Sequence, residues 1–220
     1  MTTFSTATIE FLKNLRENNN REWFEKNRDD YEANLLLPMK HIAMVMEPVM
    51  KSIDPLLDTS PKRAVSRIYR DIRFSLDKTP YRKDAWVTFK RPKTIMENAP
   101  ELFLYFTDDS YEIGMGYYAP TPASMARFRN NILLDPEGFG EFLDRFEARD
   151  DMGIYGEDYK KRIPNDLPDR FQPWFQKRKF YVSRSRRYDE LFFSDKLPEI
   201  MAEVFYFLSV AYGFLIDTDE

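Results

Sequence analysis

No cysteine occurs in the 220 residues, which excludes disulfides, thiolate-held metals and a cysteine nucleophile. A single histidine, His41, leaves no imidazole pair for a metal, and a Ser-His-Asp triad would have to use it with no nucleophile-elbow motif in view. It reads as a surface or core residue of a helix. Glycine is scarce, at 7 residues, and neither a Walker loop nor a GxGxxG run is present. No apolar stretch approaches the roughly 20 residues that span a bilayer. The opening "MTTFSTATIEFLKNL" lacks a basic region followed by an apolar run, so no signal peptide is read. These absences predict a soluble, cytoplasmic protein with no membrane partner. No internal repeat or low-complexity run is found.

Aromatic side chains are plentiful, with 19 Phe, 13 Tyr and 3 Trp, and such residues favour cores and stacking surfaces. The net charge of −4 conceals an asymmetry. From Lys62 to Lys93 eleven Lys/Arg stand against three Asp/Glu, a net of +8. From Lys160 to Arg187 ten stand against two, again +8, which leaves −20 for the remainder. Two such segments either form one positive face that attracts anions or pair with the acidic remainder across the fold.

The patterning predicts a single α+β domain over 1–220, with a mostly antiparallel central sheet of about four to five strands flanked by N-terminal and C-terminal helices. Residues 1–53 read as helical. Asn20 caps a helix through "REWFEKNRDDYEANLLL", on which Trp23, Asn27 and Tyr31 recur one turn apart, and Pro38 opens another. Residues 62–119 read as strands and loops, beginning with an alternating strand over "RIYRDIRFSL". The strands "LFLYFTD" and "YEIGMGYY" form a hairpin through Asp108, Asp109 and Ser110. Helices fill 121–148, the polar stretch 149–170 is irregular, 180–184 is a strand and 195–216 is the C-terminal helix.

In the alternating reading, Arg70 shares a face with Ile68, Ile72, Phe74 and Leu76, and a guanidinium there requires an anionic partner. One reading is an anion site in which Arg70, Arg73, Lys78 and Arg82 converge on a phosphate, with Tyr81 alongside and Arg67 nearby; the planar guanidinium fork suits such a ligand. The other is a brace, with Arg70 paired to Asp108, Asp109, Glu112 or another carboxylate, and with Asp71 and Asp77 holding Arg67 and Arg73. If a reaction is catalysed, Asp71, Asp77, Lys78 and Tyr81 are the candidate acid/base groups. A carboxylate Mg²⁺ site from Asp71, Asp77 and Asp108 or Asp109 has no supporting motif, so no metal is assigned.

Two further stretches carry chemistry. In "GMGYYAPTPAS", Gly114 and Gly116 permit close backbone approach and Thr121-Pro122 opens a helix, with Arg127 one turn on; a strand kink and a plain cap explain the same letters. In "KRKFYVSRSRRY", Lys179 and Tyr181, with Arg184 beside them, have the basic-aromatic character of a single-stranded nucleic-acid surface, and equally that of a basic edge strand. Trp23, Phe24 and Tyr31 read as core, and as the wall of a pocket in the alternative.

The blocks "FLKNLRENNNREWFEKNRDDYE", "RIYRDIRFSLDKTPYRKD", "GMGYYAPTPASMARFRNNI" and "KRKFYVSRSRRYDELFFS" resemble those of a bacterial family of conserved hypothetical proteins, catalogued as domain of unknown function 2461. The resemblance spans nearly the whole chain in the same order. It implies one α+β domain of about this length and brings with it no catalytic residues and no cofactor. The expectation that follows is a basic, aromatic-lined site for an anionic, phosphate-bearing ligand. The alternatives are a nucleic-acid-associated protein using both basic segments as one face, and a non-catalytic interaction module. Oligomeric state and cofactor are not read from the sequence.

Overall fold

A computed structural model describes residues 3–216. Five strands, β1 (Ala85–Phe89), β2 (Glu101–Phe106), β3 (Ser110–Gly116), β4 (Gly153–Asp158) and β5 (Lys177–Arg187), form one open antiparallel sheet in the order β1-β2-β3-β5-β4. With helices before, within and after this run of strands, the chain has the α+β architecture that its patterning predicts. Packing divides it into two compact units. One holds the N-terminal segment through Phe89 with 103–112 and 186–202; the other holds 90–102, 113–185 and the segment from Glu203 onward.

The first unit begins with the helix Thr6–Glu17, which buries Ile9, Phe11, Leu12 and Leu15. Asn20 caps Arg21–Lys26 by accepting a hydrogen bond from the Trp23 N–H at 3.0 Å, as predicted. The predicted continuous helix then breaks. Asn27 turns its amide back to the Trp23 carbonyl at 2.8 Å, and a new helical turn, Arg28–Tyr31, starts from it. Asn side chains compete with helical bonding in this way. A π-helical turn, Glu32–Leu36, precedes the helix Leu37–Val45. Its cause is local: Pro38 has no N–H to give to the Asn34 carbonyl, and the buried Thr8 hydroxyl donates to that oxygen instead, at 2.7 Å. Phe4, Phe106, Tyr111 and Phe192 form an aromatic core cluster, with Phe4 stacked on Phe192 at 4.9 Å.

The second unit is built around Trp174, which is 2% exposed and meets Phe139, Phe142, Phe146 and Phe180 edge to face. The helices Pro136–Glu147 and Pro122–Leu134 supply Phe128, Phe139 and Phe142 to this core. Strand β5 is squeezed at Phe180 by a glycine on each neighbour. A Cβ on Gly116 would come within 2.6 Å of the Phe180 carbonyl, and one on Gly156 within 2.8 Å of its Cα. Gly156 also has φ +134°, a conformation L side chains rarely adopt.

Two expectations are overturned. The alternating segment 67–76 is not a strand; only Tyr69 makes an isolated bridge, to Tyr81. Phe74 and Leu76 are 94% and 102% exposed, so there is no shared apolar face around Arg70. The polar stretch 149–170 is not wholly irregular, because it contains β4, paired antiparallel to β5 from Gly153–Ser183 to Asp158–Lys177.

Candidate functional site

Arg70 is the pin of a surface loop. Its guanidinium donates to the Asp77 carboxylate at 2.7 Å, to the Thr79 hydroxyl at 2.5 Å and carbonyl at 3.2 Å, and to the Ser75 hydroxyl at 3.3 Å. The brace therefore exists, with Asp77 as its carboxylate. Asp71 grips Arg73 through two bonds of 2.9 and 2.7 Å, and Lys78 donates to the Ile72 carbonyl at 3.0 Å. Asn19 bonds both the N–H and the C=O of Tyr81 at 3.0 Å. Tyr81 itself is 1% exposed and stacked on Phe24 at 4.2 Å, and burial raises its phenol. Arg82 lies over Trp86 at 4.6 Å. The predicted cluster is thus brought together in sequence but not around a common void; each member already has a protein partner.

The carboxylates of this loop are strongly acidic. Asp77 is held down at about 2, first by the Thr79 N–H, then by the Thr79 hydroxyl and Arg70; Asp71 is held at about 2 first by the Arg73 guanidinium. A depressed folded-state pKa contributes stability above the unfolded value, near 3.9, that disappears as pH falls through the folded one. The loop is therefore expected to stay pinned above about pH 4 and to release between about pH 4 and 2. Limited proteolysis across that window should show cleavage appearing in 71–79, and Asp77→Asn should expose the same bonds at neutral pH. Unchanged resistance in the variant would refute the pin.

A cavity of about 280 Å³ opens beside this loop, where the chain runs from Pro61 to Tyr69 past the N-terminal helices. Phe24, Tyr31 and Tyr69 give it aromatic walls, and Arg28, Lys40, Lys62 and Arg67 give it four cations with no carboxylate among the lining residues. Leu36, the last residue of the π-helical turn, also lines it. Lys40, Lys62 and Arg67 make no ion pair with any described residue, whereas Arg28 is held by Glu25 at 2.7 Å. That contact first, then a hydrogen bond with Tyr69, raises the Arg28 guanidinium further. Burial is the main cause that pushes the Tyr31 phenol up to about 12, so at neutral pH it is a hydroxyl donor. Three cations without an ion-pair partner and a fourth shared with Glu25, beside aromatic rings and the Tyr31 hydroxyl, suit an anion with a flat apolar portion.

Among the residues singled out from the sequence, the cavity takes Arg67 and, from the core stripe, Phe24 and Tyr31. Arg28, Lys40 and Lys62 were missed. The remaining candidates lie in the second unit. Gly114 and Gly116 are buried in β3, and Gly116 meets the β5 backbone directly. The Thr121 hydroxyl accepts from the Ser124 N–H at 3.0 Å, so the helix Pro122–Leu134 is capped by its own chain, and Arg127 on it is half-buried. Lys179 pairs with Glu157 at 2.6 Å, while Arg184 pairs with Asp151 at 3.0 Å and reaches Glu203 at 3.7 Å. Tyr181 stacks on Tyr155 at 5.2 Å. Lys177 and Arg178 meet Asp158 and Glu157, and with Arg170 on Asp144 and Glu147 and Arg186 on Asp189, six of the ten cations of the second basic segment are held by carboxylates.

Among the described residues, no group of three or more His, Asp or Glu is placed to hold a metal, and no helix is long and apolar enough to cross a membrane. No curated protein matches the chain. A family model does, over residues 7–214, nearly the whole length and all four of the blocks quoted above. The chain belongs to the family described as "Conserved hypothetical protein (DUF2461)".

Proposed function

We propose that this protein binds a small anionic, phosphate-bearing ligand in the cavity bounded by Phe24, Tyr31, Lys62, Arg67 and Tyr69, in a cytoplasmic setting. The observation that supports this reading is the lining: four cations and three aromatic rings around about 280 Å³, with no carboxylate of the protein among them. Charge-assisted hydrogen bonds from Lys62, Arg67 and Lys40 would hold the phosphate, the Tyr31 hydroxyl would add a neutral donor, and Tyr69, 53% exposed, offers a ring face for a planar group. The site moves from the Arg70–Arg82 cluster, whose cations are already engaged, to the hollow at its base. A nucleic-acid face draws less support, because six of the ten cations of the second basic segment are already held by carboxylates of the protein.

The test is isothermal calorimetry with pyrophosphate, a nucleoside monophosphate and a sugar phosphate at low and moderate salt. One of these is expected to bind wild type, with affinity falling as salt rises. Arg67→Met and Lys62→Met, both exposed positions, should each weaken that binding about tenfold or more without loss of fold. Absence of binding by all three probes, or unchanged affinity in both variants, overturns the proposal.

A further inference from the structure

The pinned loop presents what its pins do not need. Between Arg70 and Thr79 the backbone is fixed by the Arg70 network, by Asp71 with Arg73, and by Lys78 on the Ile72 carbonyl. At its tip Phe74 and Leu76 stand 94% and 102% exposed. Preorganising a loop around two apolar side chains lowers the entropy lost when they are buried against a partner of fixed shape. A fluid surface would accept a mobile loop equally well; a protein surface rewards a rigid one. Arg73 lies 5.7 Å from the Phe74 ring, and the segment 70–83 carries five Lys/Arg against Asp71 and Asp77, a net of +3, so the apolar tip stands on a segment of positive charge.

The other unit carries a surface of the opposite charge and the same apolar character. At the junction of the helices Pro122–Leu134 and Pro136–Glu147, Leu133 and Leu134 are 51% and 76% exposed. Asp135, Glu137 and Glu141 are exposed beside them, with no cation between 133 and 141. Glu137 and Glu141 make no ion pair with any described residue. Leu76 and Leu134 are the two most exposed large aliphatic side chains among the described residues. We infer that the occupant of the loop is a second copy of this chain: Phe74 and Leu76 of one molecule dock on Leu133 and Leu134 of another, with the basic segment facing Asp135, Glu137 and Glu141. The contact is heterologous, pairing two different surfaces, and its small apolar centre makes it weak and salt-sensitive.

The test is sedimentation of the full chain up to millimolar concentration. Wild type should associate, and added salt should weaken the association. Phe74→Ser/Leu76→Ser removes the loop surface and Leu133→Ser/Leu134→Ser removes its counterpart; the sites are exposed, and each double variant should stay folded by circular dichroism. Each alone should lose about tenfold or more in association constant. An equimolar mixture of the two should form a one-to-one complex, because each supplies the surface the other lacks. A monomeric wild type overturns the inference, as would a loop that binds only some other protein. Self-association that survives in the Leu133→Ser/Leu134→Ser variant, or a mixture that stays monomeric, overturns it too.

Discussion

Phe24→Ala is expected to lower stability by about 3–5 kcal/mol, a large fraction of the roughly 5–15 kcal/mol that typically holds a domain together. Phe24 is 0% exposed and is the ring on which the cavity region is assembled. It stacks on Tyr81 at 4.2 Å and lies 5.3 Å from Tyr31 and 6.1 Å from Tyr69, and the Arg28 guanidinium sits 5.5 Å from its centroid. Alanine leaves a void that these four groups cannot all collapse into, because Tyr81 is fixed by Asn19 at both backbone atoms. Phe24→Leu keeps most of the volume and should lose only about 1–1.5 kcal/mol. Urea unfolding measures both. A near-neutral Phe24→Ala would mean that the aromatic floor is not a packed unit.

Much of this architecture was legible because burial and local chemistry leave the same trace in sequence. The helix through Phe139, Phe142 and Phe146 follows from apolar spacing and from Asp135-Pro136, and in the structure Asp135 caps it by accepting from the Gly138 N–H at 2.9 Å. Strand β2 reads correctly since Leu102, Leu104 and Phe106 alternate with half-covered residues. Strand β4 leaves no such trace. It is an edge strand with two glycines and four exposed residues, so hydropathy has little burial to report.

The segment 67–76 failed for the opposite reason. Its letters alternate, but alternation marks a strand only where one face is covered. Here Asp71 and Asp77 offer the backbone and the arginines nearby partners, and local side-chain bonding wins over ladder formation. The apolar face that would have set Arg70 apart does not form; its guanidinium is met by Asp77, seven residues on. The cavity was less accessible. Arg67 stood out within a dense basic run, whereas Arg28 and Lys40 come from helices whose cations look like any solvated face. Only the break at Asn27 and the π-helical turn before Pro38 set their direction, and neither has a periodic signature.

Glycine substitutions should separate two positions that sequence treats alike. Gly116→Ala is expected to cost about 3 kcal/mol or more. Its methyl would lie 2.6 Å from both the Phe180 carbonyl and the Tyr181 Cβ, and the backbone of β5 has no rotamer by which to yield. Relief requires β3 and β5 to part. That strains the bond from the Tyr117 N–H to the Phe180 carbonyl, 3.0 Å in length, and disturbs Phe180, which packs on Phe128 at 5.1 Å and on Trp174 at 5.7 Å. Gly140, within the helix Pro136–Glu147, is the control: a Cβ there meets only the Phe171 ring, at 3.6 Å, an ordinary contact. Gly140→Ala should therefore stabilise by about 0.5–1 kcal/mol, since alanine restricts the unfolded chain and favours helix. Opposite signs in thermal unfolding are the expected result. If Gly116→Ala were tolerated as well as Gly140→Ala, the close approach of β3 to β5 would not be what fixes glycine at 116. The backbone freedom there would then have to serve the loop from Tyr117 to Thr121 instead.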